Sequence, residues 1–294
     1  MSLTTGARSD RPLLGISLMV LAMATFSCLD TTAKYLTASL PVVEIVWARY
    51  VFHTALLVAA LPFLGGRLRL RTRRLRLQVG RSLFMLAATA FFFSALKYLQ
   101  LVEAAAIAFV SPLVVTMLSV PLLGEHVGPR RWAGVGAGFL GVLVITRPGT
   151  GVMHWAAVLP LGMAVCYACY QVATRGLSDT EHTITTLFYT AAVGAGVMSF
   201  IVPFFWVWPT PGDWLRMGLL GVFGGTGHLL LIQAFRYAEA SVLSPFNYFT
   251  IITNTLAGYL VFQQLPDAWT FVGAGLVIAS GLYVFQRERR LAAV

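Results

Sequence analysis

Apolar side chains fill this chain in runs of about twenty, and short polar breaks rich in Pro, Gly and charge separate them. Ten runs can be marked: Leu13–Lys34, Val42–Leu64, Leu77–Leu99, Glu103–Leu123, Arg130–Thr146, His154–Arg175, Ile184–Trp206, Trp214–Tyr237, Ser241–Phe262 and Trp269–Phe285. About 20 apolar residues cross the roughly 30 Å hydrocarbon layer of a bilayer as a helix. Backbone polar groups find no water there, so each run satisfies its own hydrogen bonds as an α-helix. The alternating pattern of a membrane barrel is absent. The pattern predicts an all-α membrane protein with ten transmembrane helices.

Pieces of the pattern recur. Residues 95–136 and 234–275 align at a constant offset of 139, which pairs Ala95 with Ala234, Lys97 with Arg236, Tyr98 with Tyr237, Thr116 with Thr255, Gly134 with Gly273 and Gly136 with Gly275. An offset of 141 pairs Cys28 with Cys169 and Lys34 with Arg175. The chain therefore reads as two five-helix units, 13–147 and 154–287. Five is odd, so the second unit starts on the opposite side of the membrane and is inverted relative to the first. Inverted repeats are a signature of transporters, with the substrate site between the halves near the midplane.

Composition agrees with a lipid environment. Of 294 residues, 58% are hydrophobic and 11% charged, against about 25% charged in a soluble domain. The net charge of +10 gains its meaning from where it sits. With the N-terminus inside, 16 of the 21 Lys and Arg fall on the cytoplasmic side and 4 outside, with Arg49 within a span. That bias puts both termini in the cytoplasm. It also gives the basic run 67–81 a role as topology anchor against anionic lipid heads rather than nucleic acid. The N-terminal tail has no secretory cleavage site. The three cysteines lie within apolar runs, where Cys166 and Cys169 read as small core residues and not as a redox motif.

The first helix ending in Lys34, the step Arg49-Tyr50, Ala95-Leu96-Lys97-Tyr98, Ser111-Pro112, the Gly124-Glu125 turn and the ladder Gly134, Gly136, Gly138, Gly141 together resemble the drug/metabolite transporter superfamily, EamA type. The second half resembles it through Ala234-Phe235-Arg236-Tyr237, Gly258, Pro266 and Gly273, and departs where Gln263-Gln264 replaces Gly-Glu. The resemblance implies a carrier of metabolites in a bacterial inner membrane. Among its members the chain is most similar to amino-acid exporters of the YddG type, so amino acids leaving the cytoplasm are the expected cargo. A drug, nucleoside, cofactor or carboxylate is the alternative cargo.

Several polar residues lie where lipid would make them costly. Arg49 sits seven residues from the outer end of the second run, and an Arg at a helix centre costs about 2.5–3.5 kcal/mol on insertion scales. Either it faces a wet cavity and attracts a carboxylate, or it locks the second helix to the first through Asp30 or a carbonyl. Glu44 is a second candidate partner. Asp30 and Lys34 are spaced i, i+4, which permits a salt bridge. They read as a trimmed helix end or as an outer gate, with Asp30 also a candidate proton-coupling site. His53 and His228 read as hydrogen-bonded packing or as a proton relay, and two histidines alone make no metal site. The glycines of 224–227 permit close packing or a break. Trp47, Tyr167, Tyr170, Gln171, Ser244, Asn247 and Tyr248 could line a moderately polar cavity. Of Phe91, Phe92 and Phe93, at most two can face it, and Phe92 is the candidate. Pro112 and Pro245, in Ser-Pro steps of the fourth and ninth runs, are candidate hinges.

No Walker sequence is present, so this chain supplies no ATP hydrolysis. An intramembrane enzyme would need a clustered nucleophile or metal set, and neither H-E-x-x-H nor G-x-S-x-G occurs. A channel or structural protein fits the inverted repeat less well. The expectation is a secondary transporter working by alternating access. It would need no cofactor or metal, its partners would be a small molecule and lipid, and a monomer is the default.

Overall fold

The computed structural model describes residues 11–60, 72, 74–123, 128–147, 155–175, 177, 181, 183–238 and 240–292. Most of the basic run 67–74 and the whole Gly124-Glu125 turn lie outside the described residues. Twelve helices follow in order: α1 (Pro12–Leu36), α2 (Val42–Ala60), α3 (Leu75–Leu96), α4 (Leu101–Ala108), α5 (Ser111–Leu123), α6 (Pro129–Thr146), α7 (Val158–Arg175), α8 (Thr183–Ile201), α9 (Pro211–Tyr237), α10 (Ala240–Leu243), α11 (Phe249–Phe262) and α12 (Ala268–Ala292). Among the described residues, seven segments are long and apolar enough to cross a membrane, and Trp132–Thr146 and Ala268–Val284 are shorter apolar helices. Segment 240–262 completes ten crossings. Bulky side chains such as Phe200, Phe204 and Leu215 point outward, more than two-thirds exposed, as a surface facing lipid requires.

Helix starts follow local chemistry. Pro211 opens α9 behind Thr210, whose hydroxyl accepts from the Asp213 amide at 3.2 Å while the Asp213 carboxylate accepts from the Thr210 amide at 3.2 Å. This reciprocal cap satisfies two donors that the first turn leaves orphaned. At the head of α4, the Glu103 carboxylate likewise accepts from the Gln100 amide at 3.0 Å.

The Ser-Pro steps act differently from simple kinks. The fourth run ends its first helix at Ala108 and restarts at Ser111, so Pro112 sits in the first turn of α5. There its missing N–H costs no hydrogen bond. Pro245 lies in a 3-10 turn, Ser244–Tyr248, between α10 and α11. Both spans are therefore broken rather than bent.

The packing shows the inverted repeat. Helix α1 runs along α9, and α7 runs along α3. The α2–α9 contact is matched by α8–α3, and α1–α11 by α7–α5. The pairs α2–α8, α4–α11 and α6–α12 join equivalent helices of the two halves. Exchanging the halves thus preserves the main contacts between them, while within the halves the packing differs: α2 meets α3 more closely than α8 meets α9. The first and third helices of each half pair across to the other half.

Glycine permits two of these approaches. A Cβ on Gly273 would stand 2.6 Å from the Gly141 carbonyl oxygen, and one on Gly141 would stand 2.8 Å from that of Gly273. On α9, a Cβ at Gly221 would stand 2.3 Å from the Phe52 Cβ of α2. Helix α9 continues unbroken through 224–227, so of the two readings of that stretch the structure adopts close packing.

Candidate central site

A cavity of about 440 Å³ lies between the halves at mid-depth of the helices. Its walls come from the middle of α1, α2, α3, α7 and α9 and from the breaks in the fourth and ninth spans. The breaks matter because they bring Phe109, Ser111 and Pro112 of one half opposite Asn247, Tyr248 and Thr250 of the other. The rings of Phe109 and Tyr248 approach to 4.9 Å between centroids. These two residues are related by the offset of 139.

Of the residues singled out from sequence, Asp30, Arg49, Phe92, Pro112, Tyr167, Gln171, His228, Asn247 and Tyr248 line this cavity. Arg49 donates from Nη1 to the Thr89 hydroxyl at 2.7 Å, and its guanidinium lies 5.5 Å from the Phe93 ring centroid. Thr89 is held in turn by the Tyr50 hydroxyl at 2.9 Å. The lock thus runs from α2 to α3 and not, as expected, to the first helix. Arg49 both fastens and lines the cavity.

Asp30 is buried and accepts from the Asn254 amide at 3.4 Å; the Ser27 hydroxyl donates to the other end of that amide at 2.6 Å. The network ties α1 to α11. Among the described residues, no ion pair joins Asp30 to Arg49 or to Lys34. Both cavity charges keep capacity for a ligand. Lys34 departs from the expected i, i+4 bridge. Its ammonium donates to the carbonyls of Leu96 and Leu99 and lies over the Phe262 ring. A cation at the C-terminal end of α3 meets carbonyls that lack intrahelical partners.

His228 has Nδ1 at 2.8 Å from the Gly224 carbonyl, an atom that can only accept. Nδ1 therefore carries the proton and Nε2 is the free nitrogen. His53 is buried behind it, with ring centroids 5.8 Å apart, and lies against the glycines of α9 rather than in the cavity wall. Three further candidates also lie away from the cavity. Trp47 donates to the Ser199 hydroxyl at 3.0 Å and meets Trp206 edge-on. Glu44 is fully buried and accepts from the Val207 amide at 3.1 Å. Tyr170 stacks on Tyr167 and covers the Arg81 guanidinium. Of Ser244 only the backbone is described; Pro245 is exposed and outside the wall.

Sequence reasoning missed Phe26, Met85, Thr89, Phe109 and Met163, which also line the wall, and chose Phe92 where both Phe92 and Phe93 face it. Phe26 was within reach: the offset of 141 pairs it with Tyr167. It missed Asn254 and Ser27 as partners of Asp30, because no local spacing links α1 to α11.

The repeat has a counterpart in a known family. The model of the EamA-like transporter family matches residues 13–147 and again residues 154–286. The chain belongs to this family. It is an integral membrane protein and a membrane transporter. It is 27% identical over 281 residues to a protein of Rickettsia prowazekii named as an S-adenosylmethionine uptake transporter, covering 94% of both chains. It is 28% identical over 291 residues to a riboflavin transporter of Rhizobium johnstonii, covering 96% of this chain and 94% of the relative. It is 29% identical over 271 residues to the pseudopaline exporter CntI of Pseudomonas aeruginosa, covering 90% and 94%. A crystal structure 22% identical to it covers 95% of this chain and 97% of its own, with a TM-score of 0.63, and so shares the fold. None of these relatives is named for free amino acids.

Proposed function

We propose that this transporter moves small metabolites that combine a zwitterionic, amino-acid-type head with an apolar or heterocyclic ring. The two five-helix units, 13–147 and 154–287, would rock about the cavity in a bacterial inner membrane with both termini in the cytoplasm. The observation that carries this reading is Asp30 and Arg49 together in the wall of one cavity, with no ion pair between them among the described residues. A carboxylate on Arg49 and an ammonium on Asp30 would add an ionic partner to the neutral ones, Thr89 and Asn254, that each side chain already has. Phe26, Phe92, Phe93, Phe109, Tyr167 and Tyr248 offer ring faces for the rest of the ligand.

The cavity volume lies within the ordinary range for small-molecule sites, about 300–1,000 Å³. Free amino acids, the expectation from sequence, are the smallest members of the class. S-adenosylmethionine, which joins an amino-acid head to a purine, is a larger one. Riboflavin has no carboxylate and would leave Arg49 without an ionic partner. Net direction follows the gradient imposed, since export and uptake use the same two states.

Purified protein in liposomes preloaded with L-tryptophan, L-phenylalanine, S-adenosylmethionine or riboflavin tests the proposal. Saturable counterflow of the two amino acids and of S-adenosylmethionine, which share a zwitterionic head, each competing with the others, is the expected result. Counterflow of riboflavin alone would overturn the zwitterion reading. Linear, non-exchanging flux would overturn the carrier.

A further inference from the structure

Two arginines outside the cavity make the same contact at opposite ends of the molecule. Arg81, near the start of α3, places its guanidinium 4.8 Å from the Tyr170 ring centroid on α7. Arg216, near the start of α9, places its guanidinium 4.5 Å from the Tyr35 ring centroid on α1. The repeat offsets of 139 and 141 do not superpose the two contacts, since Arg81 corresponds to Leu220 and Tyr170 to Leu29. In each case the third helix of one half reaches the first helix of the other. The start of α3 lies on the face that bears the chain termini, and the start of α9 on the opposite face.

Each contact is reinforced locally. Arg81 is 1% exposed. It donates to the Thr174 hydroxyl at 3.0 Å, to the Thr186 carbonyl at 2.8 Å and to the Thr190 hydroxyl, so that it ties α3 to both α7 and α8. Among the described residues it has no carboxylate partner. Arg216 pairs with Asp213 at 3.2 Å, and Ser39 of the loop after α1 meets the same carboxylate at 3.5 Å. The helices so joined, α3 with α7 and α9 with α1, form opposite walls of the cavity.

We infer that these Arg–Tyr clasps are the two gates of the transport cycle, Arg81–Tyr170 on the terminus-bearing face and Arg216–Tyr35 on the other. The inference rests on the alternating-access reading above. A rigid rocking of one half against the other parts the first and third helices at one face while it presses them together at the other. The two clasps open in turn. Arg81 and Arg216 are positioning residues: they set which face the cavity meets and do not touch the cargo. The clasp between Arg81 and Tyr170 is the better sealed: Arg81 is 1% exposed and held by three further bonds, whereas Tyr35 of the other clasp is 47% exposed.

The test uses full-length protein with Cys28, Cys166 and Cys169 replaced by alanine and a reporter, Ala108→Cys, in the cavity wall. Oriented vesicles are exposed on one face or the other to a membrane-impermeant thiol reagent. Arg81→Gln should raise labelling from the terminus-bearing face and lower it from the opposite face, shifting the ratio about tenfold. Arg216→Gln should shift the ratio the other way. Tyr170→Leu and Tyr35→Leu should reproduce the two shifts, and they decide the matter should a buried-arginine variant fail to fold. A role confined to holding helices together would lower thermal stability without moving the two ratios in opposite senses. Ratios that stay level, or move together, while the reporter protein still performs counterflow would overturn the clasps and leave the carrier reading intact. Loss of counterflow in the unmutated protein would instead remove the carrier reading.

Discussion

The two halves of the cavity share a frame and differ in charge. The offsets of 139 and 141 place Phe26 opposite Tyr167, Phe92 opposite Leu231 and Phe109 opposite Tyr248, and all six line the wall. At the polar positions the likeness ends. Asp30 of the first half corresponds to Gln171 of the second, Thr89 to His228, and Arg49 to Thr190, which lies outside the wall. Under the alternating-access reading symmetry would supply two mouths of similar energy, whereas binding an asymmetric molecule needs an asymmetric wall. The chain meets both needs by keeping the packing positions alike and placing both ionic groups on one side. A zwitterionic head would then sit against the first half, with its ring toward Tyr167 and Tyr248.

The largest test of this contrast removes a charge. Arg49→Ala should lower kcat/KM for a zwitterionic cargo by about 10–100-fold, the worth of one hydrogen bond to a charged group. Folded yield should persist, since Thr89 keeps its bonds to Tyr50 and to the Met85 carbonyl. Asp30→Asn should cost about tenfold in the same counterflow assay, while Gln171→Asn, its counterpart, should stay within about twofold. Equal losses at 30 and 171 would remove the asymmetry.

A smaller effect concerns the crossing that both halves build together. Gly273→Ala would drive a methyl into the Gly141 carbonyl. Overpacking of this kind typically costs about 1–3 kcal/mol, which detergent thermal unfolding would register as a lower Tm.

Two modest predictions concern loop ends. Where the first half carries Gly124, the second has Gln263, held at φ 53°. Left-handed backbone costs a non-glycine residue about 1–2 kcal/mol. Gln263→Gly should therefore stabilise the protein slightly, by less than that amount because glycine gains chain entropy on unfolding. Nearby, Asp267 accepts from the Thr270 amide and hydroxyl and pairs with Arg147. Burial raises its carboxyl, but Thr270 and Arg147 outweigh burial and hold it below the ordinary value. The group's contribution is complete above the unfolded value of about 3.9 and is lost as pH falls through the lower folded value. A Tm series from about pH 5 to about pH 2 should show an acid-side decline that Asp267→Asn reduces.

Much of the architecture was legible in the sequence, because a bilayer demands runs of fixed length and an odd repeat fixes inversion. Arg49 was legible as a cavity residue because its depth alone made burial in lipid costly. The finer assignment of faces was not. Tyr167 lines the cavity while Tyr170, less than one turn away, covers Arg81; His228 is in the wall and His53 behind it. Helices that are apolar all round carry no periodic polarity to separate the side facing lipid from the side facing a ligand. Arg81 was counted as a topology anchor, since nothing near it in sequence announces Thr174, Thr186 and Thr190.

The crossed pairing also bears on how the chain is made. Helix α1 ends at Leu36, and its main partner α9 starts only at Pro211. At about 5–20 residues per second of synthesis, the first helix waits roughly 10–35 s in the bilayer for the wall it will pack against. Until then its polar face, with Ser27 and Asp30, has only lipid, the insertion machinery or the nascent neighbours as company. Final assembly is thus set by the last third of the polypeptide, and cutting the gene between the halves should still permit two coexpressed fragments to find one another.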